Sequence, residues 1–171
     1  MKRLSVLLVA ALALLLPAGA AAKGPSEAKI TGPGLASPLT ITGLGEGDSS
    51  TDLGLLVTDG GFFPQAFGQV PSPLLRAVPE DLGQRYVVTY TVPGPTLSIL
   101  EQELYPYASG GPVTYMRPGQ KFWSDQLTAG GWYRGTAQLK AMLIKAGLPD
   151  VATPHRRFVS VVLAILRRFL P

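Results

Sequence analysis

Residues 85–105 read RYVVTYTVPGPTLSILEQELY, and this stretch decides the fold. Tyr86, Val88, Tyr90 and Val92 alternate with Val87, Thr89 and Thr91, the period of two that places side chains on opposite faces of a strand. Pro93-Gly94-Pro95-Thr96 then turns the chain. Leu97 to Tyr105 returns with Leu100, Gln102 and Leu104 on one face. Two such runs around a Pro/Gly turn predict an antiparallel hairpin over about 85–105.

On one side of the hairpin, Val113 to Arg117 follows Gly110-Gly111-Pro112 and reads as a third strand. On the other, Ala28–Thr31 and Leu39–Thr42 read as two short strands, separated by the turn-formers Gly32-Pro33-Gly34 and Ser37-Pro38. Two helices are expected. One covers Thr51 to Thr58, capped by Ser50, with Asp52 near its positive end and Gly60-Gly61 after it. The other runs from about Thr136 to Ala146, with Leu139, Met142, Leu143 and Ala146 on one face and Gly147 and Pro149 stopping it. Phe62 to Pro79 has no clean period and reads as an irregular connection; Phe122 to Gly135 reads as an aromatic-rich loop. The fold class that follows is α+β: a small antiparallel sheet with a central hairpin and one or two helices packed on it.

Both ends of the chain lie outside this domain. Lys2 and Arg3 precede an apolar run from Leu4 to Leu16. Pro17 and Gly19 break it, and Ala18-Gly19-Ala20 and Ala20-Ala21-Ala22 fit the small-x-small cleavage rule. Residues 1–22 therefore read as a secretory signal peptide, the apolar run being shorter than the ~20 residues of a spanning helix. Residues 23–150 form the domain. From 151 to 171 a basic amphipathic tail follows: Arg156, Arg157, Arg167 and Arg168 share one helical arc, and Phe158, Val162, Ile165 and Phe169 the other. Such a helix lies in a membrane interface with its arginines toward anionic head groups, or packs on its own domain. Its nine-residue apolar run (158–166) is short for a membrane span. Leu148-Pro149 followed by an apolar stretch and arginines has the order of a wall-sorting signal, but the Thr-Gly of that signal is missing.

Charge is distributed accordingly. The 171 residues carry 15 basic and 11 acidic side chains, a net charge of +4. Two basic residues belong to the leader and four to the tail, so residues 23–150 hold 9 basic and 11 acidic side chains and are slightly acidic. A nucleic-acid partner is thereby disfavoured, since phosphate neutralisation needs a basic stripe. The expected partner is an anionic membrane surface or an envelope protein. With no cysteine there are no disulfides and no thiolate sites, and without asparagine there is no N-glycosylation.

Catalytic signals are sparse. His155 is the single histidine and stands in the tail, so neither a metal nor a cofactor is expected. Gly47-Asp48-Ser49-Ser50 has the start of a serine-esterase motif without its Asp-x-x-His, and a Ser/Asp helix cap explains it. Ser26-Glu27-Ala28-Lys29 has serine–lysine spacing but sits in a polar leader. Asp48 and Asp52 do not fit a calcium loop. Glu101 and Glu103 point to one strand face, ~6.5–7 Å apart by strand rise. As a carboxylate pair they give the alternative reading, a secreted hydrolase; as solvated glutamates they give none. The strongest binding candidates are Tyr105, Tyr107, Tyr115, Trp123, Trp132 and Tyr133. Exposed, these aromatics stack on sugars or grip a peptide; buried, they fill the core.

Several stretches carry a resemblance. Ile30-Thr31-Gly32-Pro33-Gly34-Leu35 with Pro38-Leu39-Thr40-Ile41-Thr42, Leu82-Gly83-x-x-Tyr86-x-x-Thr89-Tyr90, Leu104-Tyr105-Pro106-Tyr107 and Gly131-Trp132-Tyr133-Arg134 are similar to a group of exported or membrane-anchored bacterial proteins. The resemblance spans about residues 28–149. It implies an extracytoplasmic location and a domain layout, and no activity.

Overall fold

The computed structural model describes residues 24–43 and 49–151. The leader, the 44–48 loop and the tail with its proposed membrane-contact residues lie outside them.

Eight strands and three helices follow one another along the described chain. They are β1 (Glu27–Thr31), β2 (Leu39–Thr42), α1 (Asp52–Asp59), α2 (Phe62–Phe67), β3 (Tyr86–Val92), β4 (Ser98–Tyr105), β5 (Val113–Met116), β6 (Lys121–Phe122), β7 (Gln126–Leu127), β8 (Gly131–Arg134) and α3 (Ala137–Lys145). Six strands form one antiparallel sheet in the order β2-β1-β3-β4-β5-β8. The fold is α+β, with the hairpin β3–β4 at its centre. Its register pairs Tyr86 with Leu104 and Val92 with Ser98. The small β6–β7 hairpin stands apart from the main sheet.

Alternation in the hairpin sorts the two faces. Tyr86, Val88, Tyr90, Val92, Leu100 and Leu104 are fully buried beneath the helices, with Ala28, Ile30 and Met116 beside them. The helices contribute Leu53, Leu56, Val57, Phe62, Ala66, Leu139 and Leu143, and burial of each large apolar side chain favours the fold by about 1.5–3 kcal/mol. Both longer helices start on a threonine. Thr51 Oγ1 accepts from the Gly54 N–H at 3.0 Å, so the cap of α1 is Thr51 rather than the expected Ser50. Thr136 Oγ1 accepts from the Leu139 N–H at 3.1 Å at the start of α3.

Two stretches differ from the expectation. Residues 62–67 of the supposed irregular connection are helical, and Pro64 is tolerated because it falls in the first turn, where no helical N–H is needed. Residues 122–135 are not one loop: β7 and β8 lie within them, and β8 extends the sheet beyond β5. Residues 68–79 are irregular as expected; the irregular path runs on to residue 85 and crosses to the other side of the sheet. There Leu75 and Leu82 cover Tyr105, Val113 and Trp132, and the Leu75 N–H donates to the Trp132 carbonyl at 2.8 Å.

A polar cluster is built into the core. Tyr90 Oη donates to Gln102 Oε1 at 2.9 Å. Gln102 Nε2 donates to the Gly60 carbonyl and to Gln65 Oε1. Gln65 Nε2 reaches the Gly131 carbonyl at 2.8 Å, and Thr114 Oγ1 donates to the Gly60 carbonyl at 2.7 Å. Among the described residues, every buried side-chain polar atom has a partner. The cluster ties β3, β4, β5 and β8 to the α1–α2 corner.

Candidate functional site

The face of the sheet turned away from the helices carries Val87, Thr89 and Thr91 on β3 and Ile99, Glu101 and Glu103 on β4, paired across the hairpin. Tyr115 of β5 lies opposite Glu103, and Trp132 of β8 opposite Tyr115. This is the open face. Antiparallel sheets tolerate water on one side, and the polar half of each strand's alternation is what solvates it.

The open face is not flat. Regular pairing of β4 with β5 ends at Gln102 and Met116. The next rung would set Arg117 against Glu101, but the side-chain amide of Gln120 fills it instead. Gln120 Oε1 accepts from the Glu101 N–H at 2.8 Å, and Gln120 Nε2 donates to the carbonyls of Glu101 (2.8 Å) and Arg117 (3.2 Å). Thr128 locks this loop: its hydroxyl donates to the Arg117 carbonyl at 2.8 Å and accepts from the Gln120 N–H at 3.0 Å. One amide thus takes the place of a backbone rung and parts the two strands. The result is a shallow groove of about 290 Å³, lined by Arg85, Val87, Glu101, Gln102, Glu103, Tyr115, Arg117 and Gln120.

Its charges fall into two classes. Glu103 is committed: Arg85 Nη1 lies 2.9 Å from Oε1, and the Tyr105 hydroxyl donates to Oε2 at 2.5 Å. Burial, and then the hydrogen bond and charge of Glu103, push the Tyr105 phenol well above its ordinary range. Glu101 and Arg117 are uncommitted. Among the described residues no charged group pairs with either side chain. The four charges sum to zero.

The six aromatic candidates do not form one surface. Three meet on the open face: Trp132 lies with its ring 4.6 Å from Tyr115 and 5.8 Å from Tyr105, and Tyr115 also lines the groove. Tyr115 and Trp132 are half-buried, while Tyr105 is buried. Tyr107 stands at the end of the sheet near Tyr86, under the Lys140 ammonium, with its hydroxyl donated to the Pro149 carbonyl. Tyr133 is on the helix side, packed on Gly61. There φ is +70°, and a Cβ would lie 2.2 Å from the Tyr133 ring. Trp123 is at the opposite end of the sheet with Phe67 and Phe122, its indole N–H donated to the Pro93 carbonyl at 2.9 Å.

Glu101 and Glu103 are brought into one groove with Arg85, Arg117 and Gln120, which sequence reading did not single out. Nothing in the spacing of Gln120 announces that its side chain would replace a strand rung. Phe67 also went unremarked as a partner of Trp123, because α2 was not expected. Among the described residues no three His, Cys, Asp or Glu side chains converge on a metal position, and no helix is long and apolar enough to cross a membrane. No protein-family model, curated protein or solved structure matches the chain.

Proposed function

We propose that this chain is a non-enzymatic interaction module of the extracytoplasmic side of the bacterial cell envelope. Its open sheet face is the contact surface, and its basic tail lies on an anionic membrane interface. The observation that carries this reading is the groove over β4 and β5, walled by the half-buried Tyr115 and floored by the sheet. It combines uncommitted charges with aromatic surface that core packing does not use up, the composition of a recognition site.

The hydrolase alternative has weaker support. Both glutamates line the groove, but a general-acid carboxyl needs an apolar setting that keeps it protonated. Glu103 has the opposite setting, with the Arg85 guanidinium on one carboxylate oxygen and the Tyr105 hydroxyl on the other. Glu101 is exposed. The location rests on the leader and on the Arg156, Arg157, Arg167, Arg168 tail.

Two measurements test the proposal. A photo-crosslinking residue in place of Ile99 on the open face should capture an envelope component in cells, and one in place of Gln138 on the exposed side of α3 should not. Equal or absent capture from both would remove the contact surface. The full chain should co-sediment with anionic vesicles, and the variant with all four tail arginines changed to glutamine should remain in solution. Identical behaviour would remove the membrane role.

A further inference from the structure

We propose that the β4–β5 groove binds a small zwitterion of the amino-acid or short-peptide class, its ammonium on Glu101 and its carboxylate on Arg117. The inference deepens the open-face reading and rests on it. Glu101 and Arg117 would be direct neighbours on adjacent strands, where opposite charges ordinarily pair. They are kept from pairing by the Gln120 amide, which holds the backbone of both. The structure therefore presents a carboxylate and a guanidinium on the two lips of one groove, each lacking a counter-ion among the described residues.

A ligand of one charge sign would satisfy one lip and be repelled by the other. A polyanion meets Glu101 and Glu103; a polycation meets Arg85 and Arg117. A molecule with a cation and an anion a few bonds apart matches both lips. The planar guanidinium favours a carboxylate, which it can hold through two parallel N–H donors. The Arg85–Glu103 pair and Tyr105 hydroxyl form a fixed, neutralised end wall, and the Tyr115 ring supplies an apolar side for a small side chain. The width of the groove is set by Gln120, so a substitution there should alter binding without touching a charge.

The test is a chemical-shift titration of the full chain with three probes: the dipeptide Ala-Ala, its N-acetylated form and its C-terminal amide. The free dipeptide should move the amide signals of residues 101–103, 115–117, 119 and 120 and bind in the millimolar range. Each capped form should bind about tenfold more weakly or worse. Glu101→Gln should erase the discrimination against acetylation alone, and Arg117→Gln that against amidation alone. Both side chains are exposed, so a dispersed spectrum identical elsewhere shows that each variant is folded. Equal affinity for the three probes, or no shifts in those residues, overturns the inference. If the dipeptide fails while capture from position 99 persists, only the ligand class falls; if capture fails as well, the open-face reading falls with it.

Discussion

The buried cluster around Gln102 makes a prediction whose sign, not only its size, can be checked. Gln102 is almost wholly enclosed; its Oε1 accepts from Tyr90 and its Nε2 serves Gly60 and Gln65. Gln102→Leu keeps the volume and removes the amide. The Gly60 carbonyl retains Thr114 Oγ1 as donor, but the Tyr90 hydroxyl and Gln65 Oε1 lose Gln102 as their partner. At about 1–3 kcal/mol for each unmet buried group, the cost is about 2–6 kcal/mol, a large share of the 5–15 kcal/mol typical of a domain. Tyr90→Phe alone strands Gln102 Oε1 and should cost about 1–3 kcal/mol. In the Gln102→Leu background the same change removes an unpaired hydroxyl and should restore about 1–3 kcal/mol. Urea unfolding of the four proteins reads this directly. With m near 1–3 kcal/mol/M, the Gln102→Leu midpoint should fall on the order of 1–2 M, and the double variant should recover part of that loss. If Tyr90→Phe lowers the midpoint in both backgrounds, the pairing drawn here is wrong.

Four further outcomes follow from the same packing. Gly94→Ala would put a Cβ 2.1 Å from Trp123 Cδ1 and should displace the indole, reddening tryptophan emission. Gly119→Ala meets nothing within 4 Å and should cost only about 1 kcal/mol for its φ of +78°, leaving the emission unchanged. Thr136→Ala removes the α3 cap and the hydrogen bond to Asp59 Oδ2, and should cost about 1–2 kcal/mol by denaturant titration. Burial holds the phenols of Tyr86, Tyr90, Tyr105 and Tyr107 above their ordinary value near 10. The folded state therefore keeps protons that the unfolded chain gives up above about pH 10, so stability is full below that pH and declines as pH rises past it. Absorbance at 295 nm should show these tyrosines ionising together with loss of near-UV circular dichroism; six tyrosines titrating near pH 10 in a folded protein would contradict it.

Much of this architecture is legible in the chain because local and global signals agree. β3 alternates cleanly, so its period names both its structure and its buried face. α3 has a threonine cap, a period near 3.6 and a glycine stop, and it runs where those place it. α2 escaped notice because FFPQAF has six residues, no side-chain cap and a proline. β8 escaped because Trp132 and Tyr133 pack on opposite sides of the sheet, so Gly131–Arg134 shows no apolar–polar alternation. Gln102 has the same place in the alternation as Leu100 and Leu104, yet glutamine rarely reaches full burial, and its partners arrive from residues 60, 65 and 90. The groove was hidden for a similar reason. Glu101 and Glu103 signal a shared face, but the parting that makes a cavity between β4 and β5 depends on a side chain seventeen residues beyond Glu103.

The two ends of the sheet carry different groups. β1 begins beside Thr91, at the end that carries Trp123 and the β3–β4 turn. The described chain leaves from the other end, where the Tyr107 hydroxyl holds the Pro149 carbonyl next to the Tyr86 ring. Val87, Glu103 and Glu101 lie one to three residues inward from that exit end, ~3–10 Å by strand rise. A tail resting on a membrane would turn the Tyr86–Tyr107 end toward the lipid and leave the groove on the flank, open to a ligand moving along the bilayer surface. The Trp123 end would then point away. A spin label or fluorophore beside Tyr107 should be quenched by lipid-borne quenchers, and one beside Trp123 should not. The reverse pattern would mean that the domain approaches the membrane by its entry end, and the tail could not be what seats it.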